Sequence, residues 1–168
     1  MSALLRGRKR RNESLTAPNL LWWAGYIIAA LWLQKLLPGL DALVPALIIC
    51  LQDENKQQTA VFLIVCMAIQ EGTGTLPFGA SIVWYSIVIA TYYVGGWFFM
   101  GGNLMFIVVL SVAMGVSRAV IFFGMGLLQP LSLDYASMYS VYVMQVLLTP
   151  LIWALGSKTR MMIVKHAY

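Results

Sequence analysis

Two long stretches of this chain leave almost no material for a water-facing surface. From Ala80 to Met100 there is no charged side chain, and from Asn103 to Leu128 the only one is Arg118. A helix rises about 1.5 Å per residue, so each stretch can reach across the ~30 Å hydrocarbon core of a bilayer. Asn19 to Leu37 is another apolar run, stopped by Pro38, and Tyr135 to Leu155 is a fourth. Charged residues make up 10% of the chain, where a soluble domain carries roughly a quarter. With a mean hydropathy of +0.81, the sequence cannot cover a soluble globule with polar groups.

Two shorter runs complicate the count. Leu40 to Leu51 and Thr59 to Ile69 flank the polar segment "QDENKQQ". Twelve helical residues cover about 18 Å, too little for a full crossing. The pair could be half-helices of a re-entrant hairpin, or two short crossings lengthened by their polar flanks. A hairpin tip would put Asp53, Glu54 and Lys56 deep in the membrane, at about 3 kcal/mol each near the midplane. We therefore expect that turn to reach water. The expected fold is all-α, a polytopic membrane helical bundle of about six transmembrane helices, two of them short. It divides into a basic tail (1–18), a transmembrane domain (19–155) and a C-terminal tail (156–168). The N-terminal apolar run has no small-residue cleavage pattern after it, so it reads as a retained helix rather than a signal.

The formal charge of +5 fits this layout better than a nucleic-acid face. Arg6, Arg8, Lys9, Arg10 and Arg11 crowd the tail before the first apolar run. Six crossings would put that tail, Lys56, Lys158, Arg160 and Lys165 on one side. That leaves only Lys35 and Arg118 of the 11 Lys and Arg elsewhere, as the positive-inside rule requires. Both termini are then cytoplasmic, and the basic tail is a surface anchor on anionic lipid. Trp22, Trp23, Trp97 and Trp153 fall near the inner interface. Trp32, Trp84, Tyr85 and Tyr135 fall near the outer one.

Candidate functional residues are few. Arg118 lies well inside its run and must face other helices or a wet cavity. It reads either as a counter-ion for a ligand or partner, or as a structural arginine. Its expected carboxylate partner is Glu71, with Asp134 second. The segment "EGTGTLPFG" places Gly72, Gly74 and Gly79 after Glu71. It lacks the GK[ST] ending of a phosphate loop and reads as a helix break at the outer face. Small residues at i and i+4, Gly25 with Ala29 and Ser111 with Gly115, permit close helix contact. Pro150 should kink the last span. Gln34, Gln70, Gln145, Ser117 and Thr149 are isolated polar groups within spans. No His lies in a span, and no carboxylate pair or nucleophile–base pair is visible. Cys50 and Cys66 read as packing residues. We expect no enzyme, no catalytic residue, no metal and no cofactor.

The order of features resembles the rod shape-determining MreD family, roughly from Val44 to Arg160. A Pro-led short segment and charged turn, "VPALIICLQDENKQQ", come first. A glycine-containing break, "MAIQEGTGTLPFGAS", follows, with Gly79 opening the next helix. A last helix carries Gln145, then Pro150, then the basic "SKTR". The resemblance implies a non-enzymatic integral scaffold of the bacterial inner (cytoplasmic) membrane, within the cell-shape and peptidoglycan-elongation machinery. It implies MreC-like proteins and wall synthases as partners, alongside membrane lipids and no nucleic acid. Arg118, Glu71, Gly79 and Pro150 become the candidate shape-setting or partner-binding positions. Such chains are also similar in layout to the vitamin-binding S-components of energy-coupling-factor transporters, which supplies an alternative. An accessory subunit of another membrane complex is a third.

Overall fold

A computed structural model describes residues 17–73, 79–98, 103–128 and 135–165, with side chains described over 17–73, 79–98, 103–120 and 142–163. The tail with Arg6 to Arg11, Gly74, the loop with Asp134, and His166 lie outside the described residues. Within them the chain is all-helical, with six helices and no strand. They are α1 (Ala17–Leu36), α2 (Leu43–Gln52), α3 (Lys56–Gly72), α4 (Ala80–Gly96), α5 (Leu104–Leu128) and α6 (Tyr135–Lys165).

The short helix α2 organises the rest. Its sequence, LVPALIICLQ, is apolar on every side, and a helix without a polar face must be covered all round. It is: Leu43 through Leu51 are all buried. The helices α1, α6, α5, α4 and α3 follow one another around it, each packed on the next. Trp23 of α1 against Phe62 of α3 closes the ring, with centroids 4.7 Å apart. Pro45 occupies the first turn of α2, where its missing N–H costs nothing. Thr59 of α3 donates to the Cys50 carbonyl at 3.2 Å and ties the two helices together. Cys50 and Cys66 are free thiols within this core.

The expectation of two comparable short crossings is therefore half corrected. The second run gains both polar flanks and becomes the 17-residue α3. The first stays ten residues long, about 15 Å, and is enclosed by its neighbours rather than by solvent or lipid. The turn between them, with Asp53, Glu54 and Lys56, does lie at the surface. Glu54 there adopts φ 56°, left-handed backbone that normally favours glycine. Among the described residues, no helix is long and apolar enough to cross a membrane.

One end of the bundle gathers the start of α1, the α2–α3 turn and the end of α6. The Trp22 indole N–H donates to the Thr159 hydroxyl at 3.3 Å. Arg160 stacks over Trp22 and Trp23, 5.8 and 5.4 Å from the ring centroids. It also makes a 2.5 Å ion contact with Asp53. The Trp153 N–H donates to Gln52 at 3.0 Å. The last helix runs on through Gly156 and Arg160, where the sequence suggested a tail, and it passes Pro150 without a break.

Close approaches explain two of the small residues. A Cβ on Gly115 would sit 2.5 Å from a Val146 methyl, so this glycine sets the α5–α6 distance. A Cβ on Gly95 would likewise sit 2.8 Å from the Phe106 ring. The pair Gly25 and Ala29 behaves differently. Both are exposed on α1, and nothing lies within 4 Å of where a Gly25 Cβ would be.

Candidate functional site

An apolar bundle with a fully buried centre has little tolerance for an unpaired polar group. Asp41, just before α2, is 1% exposed, and the structure pairs almost every atom it offers. Its Oδ1 accepts from the Leu43 N–H at 3.1 Å and from the Gln34 amide at 3.4 Å. Its Oδ2 accepts from the Trp84 indole N–H at 2.9 Å. Its own backbone N–H donates to Gln145 Oε1 at 2.6 Å, and its carbonyl accepts from Gln145 Nε2 at 3.3 Å. Gln145 therefore reads the Asp41 peptide as another backbone segment would. The same amide donates to Thr149 Oγ1 at 3.0 Å, and Thr149 returns a bond to the Gln145 carbonyl at 2.7 Å. Four helices, α1, α2, α4 and α6, meet through this one node.

Each contribution has a local cause. Placing a carboxylate ahead of α2 satisfies one of the orphan N–H groups of its first turn and complements the helix dipole. Gln145 and Thr149 lie one turn apart on α6 and so share a face. Trp84 lies one turn into α4, and only its N–H needs a polar partner inside the core.

The charge that completes the cluster is Arg118. Its guanidinium stacks over the Trp84 ring, 5.3 Å from the centroid. It also donates to Gln145 Oε1 across a long 3.4 Å. Arg118 is half-buried, unlike Asp41 and Gln145. Gln34 is half-buried as well, so these two are the members of the cluster nearest the exterior. Arg118 does not meet Glu71 as the sequence suggested.

Glu71 instead serves the start of α4. Its Oε1 accepts from the Gly79 N–H at 2.9 Å and from the Ser81 hydroxyl. Gly79 is left-handed, φ 82°, which an L residue there would resist. Glu71 and Gly79 are thus brought together, as parts of one helix cap. Trp84 and Tyr85, expected at an interface, turn inward and are buried. Pro150 lies one residue beyond Thr149 in α6, where it lacks the N–H that would bond Val146.

Asp41 is the centre of the buried cluster, and reading the sequence missed it. The run Leu40 to Leu51 reads as apolar, which hides its single acid. A better signal was the spacing: a lone carboxylate four residues before Pro45, at the threshold of an otherwise apolar helix, is a helix-start pattern. Chemically the node is a fastener. Its buried polar groups are largely paired with one another, and the described residues hold no group of three metal-ligating side chains. Comparison with known proteins finds no matching family model, no matching curated protein and no matching solved structure.

Proposed function

We propose that this chain is a non-enzymatic integral membrane scaffold, a helical bundle spanning the bacterial inner membrane with both termini on the cytoplasmic side. The observation that carries the reading is the amount of large apolar side chain left on the exterior, together with polar groups enclosed in the core. The interior holds Asp41, Gln145, Thr149, Asn19, Gln70, Ser81 and Ser111, all buried. The exterior carries large apolar side chains on α1, α3, α4, α5 and α6, with Leu21 73% and Trp97 85% exposed. Scattered exposed apolar residues are ordinary in water, but large apolar side chains exposed on five helices, around an apolar core that also encloses polar groups, suit lipid. No described helix is by itself long and apolar enough to cross a membrane, so the reading rests on the apolar exterior and not on helix length. Lys56, Lys158 and Arg160 share the end where α1 begins and α6 ends, in keeping with a cytoplasmic face.

The place of this scaffold is the cell-shape and peptidoglycan-elongation machinery, on the MreD resemblance. A centre filled by α2 supports a scaffold over the S-component alternative, since a vitamin binder needs an interior cavity. Arg118, half-buried beside a rigid node, is the group we assign to contact a partner's membrane helix. Co-purification from bacterial membranes in mild detergent tests this. We expect an MreC-like protein or a wall synthase to be recovered. Recovery with a transporter ATPase and a bound vitamin would replace the scaffold reading with the alternative.

A further inference from the structure

A groove of about 640 Å³ opens at the end where α6 finishes, between the α2–α3 turn and the end of α4. It is lined by Glu54, Lys56, Thr59, Tyr92 and Tyr93, with Leu51, Ala60 and Ile89 as its apolar wall. The volume lies within the range of small-molecule sites. We propose that this groove seats the headgroup of a zwitterionic phospholipid, with Lys56 on the phosphate and Glu54 on the ammonium. The proposal rests on the membrane reading above.

Four observations converge on it. The lining offers one cation and one anion, two residues apart, so it matches a ligand carrying both charges and not a simple anion. Lys56 is exposed at the first position of α3, where helix N–H groups also point outward and favour a phosphate. The rings of Tyr92 and Tyr93 stand edge to face, 5.8 Å apart and at 80°, and present an aromatic corner suited to an ammonium. That corner is rigid, because Tyr92 packs on Phe106 at 5.5 Å, which itself sits against Gly95. Glu54 adopts left-handed backbone, φ 56°, at the turn that brings it to the rim of the groove. Further along α3, Val61 and Ile64 are exposed and would lie beside the acyl chains.

The test begins with membranes washed in alkaline carbonate. Release of the protein into the wash overturns the membrane reading itself. Retained protein is then purified in mild detergent, stripped of lipid, and titrated with equimolar phosphatidylethanolamine and phosphatidylglycerol under native mass spectrometry. We expect one tightly held phosphatidylethanolamine, preferred about tenfold. Glu54→Gln and Lys56→Ala should bring the ratio near parity, while Lys56→Arg keeps it. Both positions are exposed, and matched melting curves show that the variants are folded. A preference for phosphatidylglycerol, or a ratio unmoved by both substitutions, overturns the groove assignment and leaves the membrane reading intact. Millimolar phosphoethanolamine should not displace the lipid. Full displacement would identify a soluble phosphoester as the ligand and overturn the lipid assignment.

Discussion

Truncating Gln145 to alanine probes the node that joins four helices. The side chain accepts a 2.6 Å bond from the buried Asp41 N–H and donates a 3.3 Å bond to the Asp41 carbonyl. Alanine leaves that N–H buried without a partner, at about 1–3 kcal/mol. The carbonyl loses a weaker bond, at about 0.5–1 kcal/mol. Removing side-chain volume from a site that is 1% exposed adds about 1 kcal/mol of lost packing. Thr149 keeps its bond to the residue-145 carbonyl, so it adds little. The sum is about 2.5–5 kcal/mol. For a chain of this size each kcal/mol moves Tm by about 2–4 °C, so Gln145→Ala should lower it by about 10 °C. Thermal unfolding in detergent, followed by tryptophan fluorescence, is the assay. Gln34→Ala is the control, since it removes one 3.4 Å bond to the same carboxylate and should cost about 0.5 kcal/mol. A loss under about 3 °C for Gln145→Ala, or equal losses for the two variants, would refute the claim that this amide closes the node.

Other substitutions divide by where their atoms go. Gly115→Ala drives a Cβ to within 2.5 Å of Val146 and should cost about 1–3 kcal/mol, read as a lower Tm. Gly25→Ala meets open space and should be neutral or stabilising by up to about 1 kcal/mol through helix propensity. Glu71→Ala uncaps α4 and leaves the buried Ser81 hydroxyl unpaired, a loss of about 1–2 kcal/mol that Ser81→Ala in the same chain should partly recover. Arg118→Leu removes one long hydrogen bond and a ring contact, about 1 kcal/mol or less. It should nevertheless reduce recovery of the membrane partner. Unchanged recovery would show that Arg118 is only structural.

The sequence made the helices legible because their signal is gross composition. Runs of apolar residues bounded by Pro38, "QDENKQQ" and "EGTGTLPFG" had to become helices, and six are seen among the described residues. What it concealed was which helix would be surrounded. Leu40 to Leu51 and Thr59 to Ile69 look alike as strings. Only the first is apolar on every side, and only its capping acid is buried with it. Partner choice was the other blind spot. Arg118 was matched to Glu71 because opposite charges attract, yet Glu71 is satisfied locally by Gly79 and Ser81 eight and ten residues away. Arg118 took a neutral amide and an aromatic face instead. Such polar pairing depends on helix rotation, which a hydrophobic pattern of low amphipathicity does not set.

The apolar exterior is best tested by measuring what touches it. Single cysteines placed at the outward positions Ile64, Val116 and Leu147, in a chain with Cys50 and Cys66 replaced, can carry nitroxide spin labels after reconstitution into vesicles. Power saturation then compares collisions with dissolved oxygen, which partitions into lipid, and with a water-soluble nickel chelate. Oxygen should dominate at all three positions, while a label at the turn residue Glu54 should collide mainly with nickel. Nickel dominance at Ile64, Val116 and Leu147 would mean that water bathes this surface, and the account of a lipid-embedded scaffold would fail.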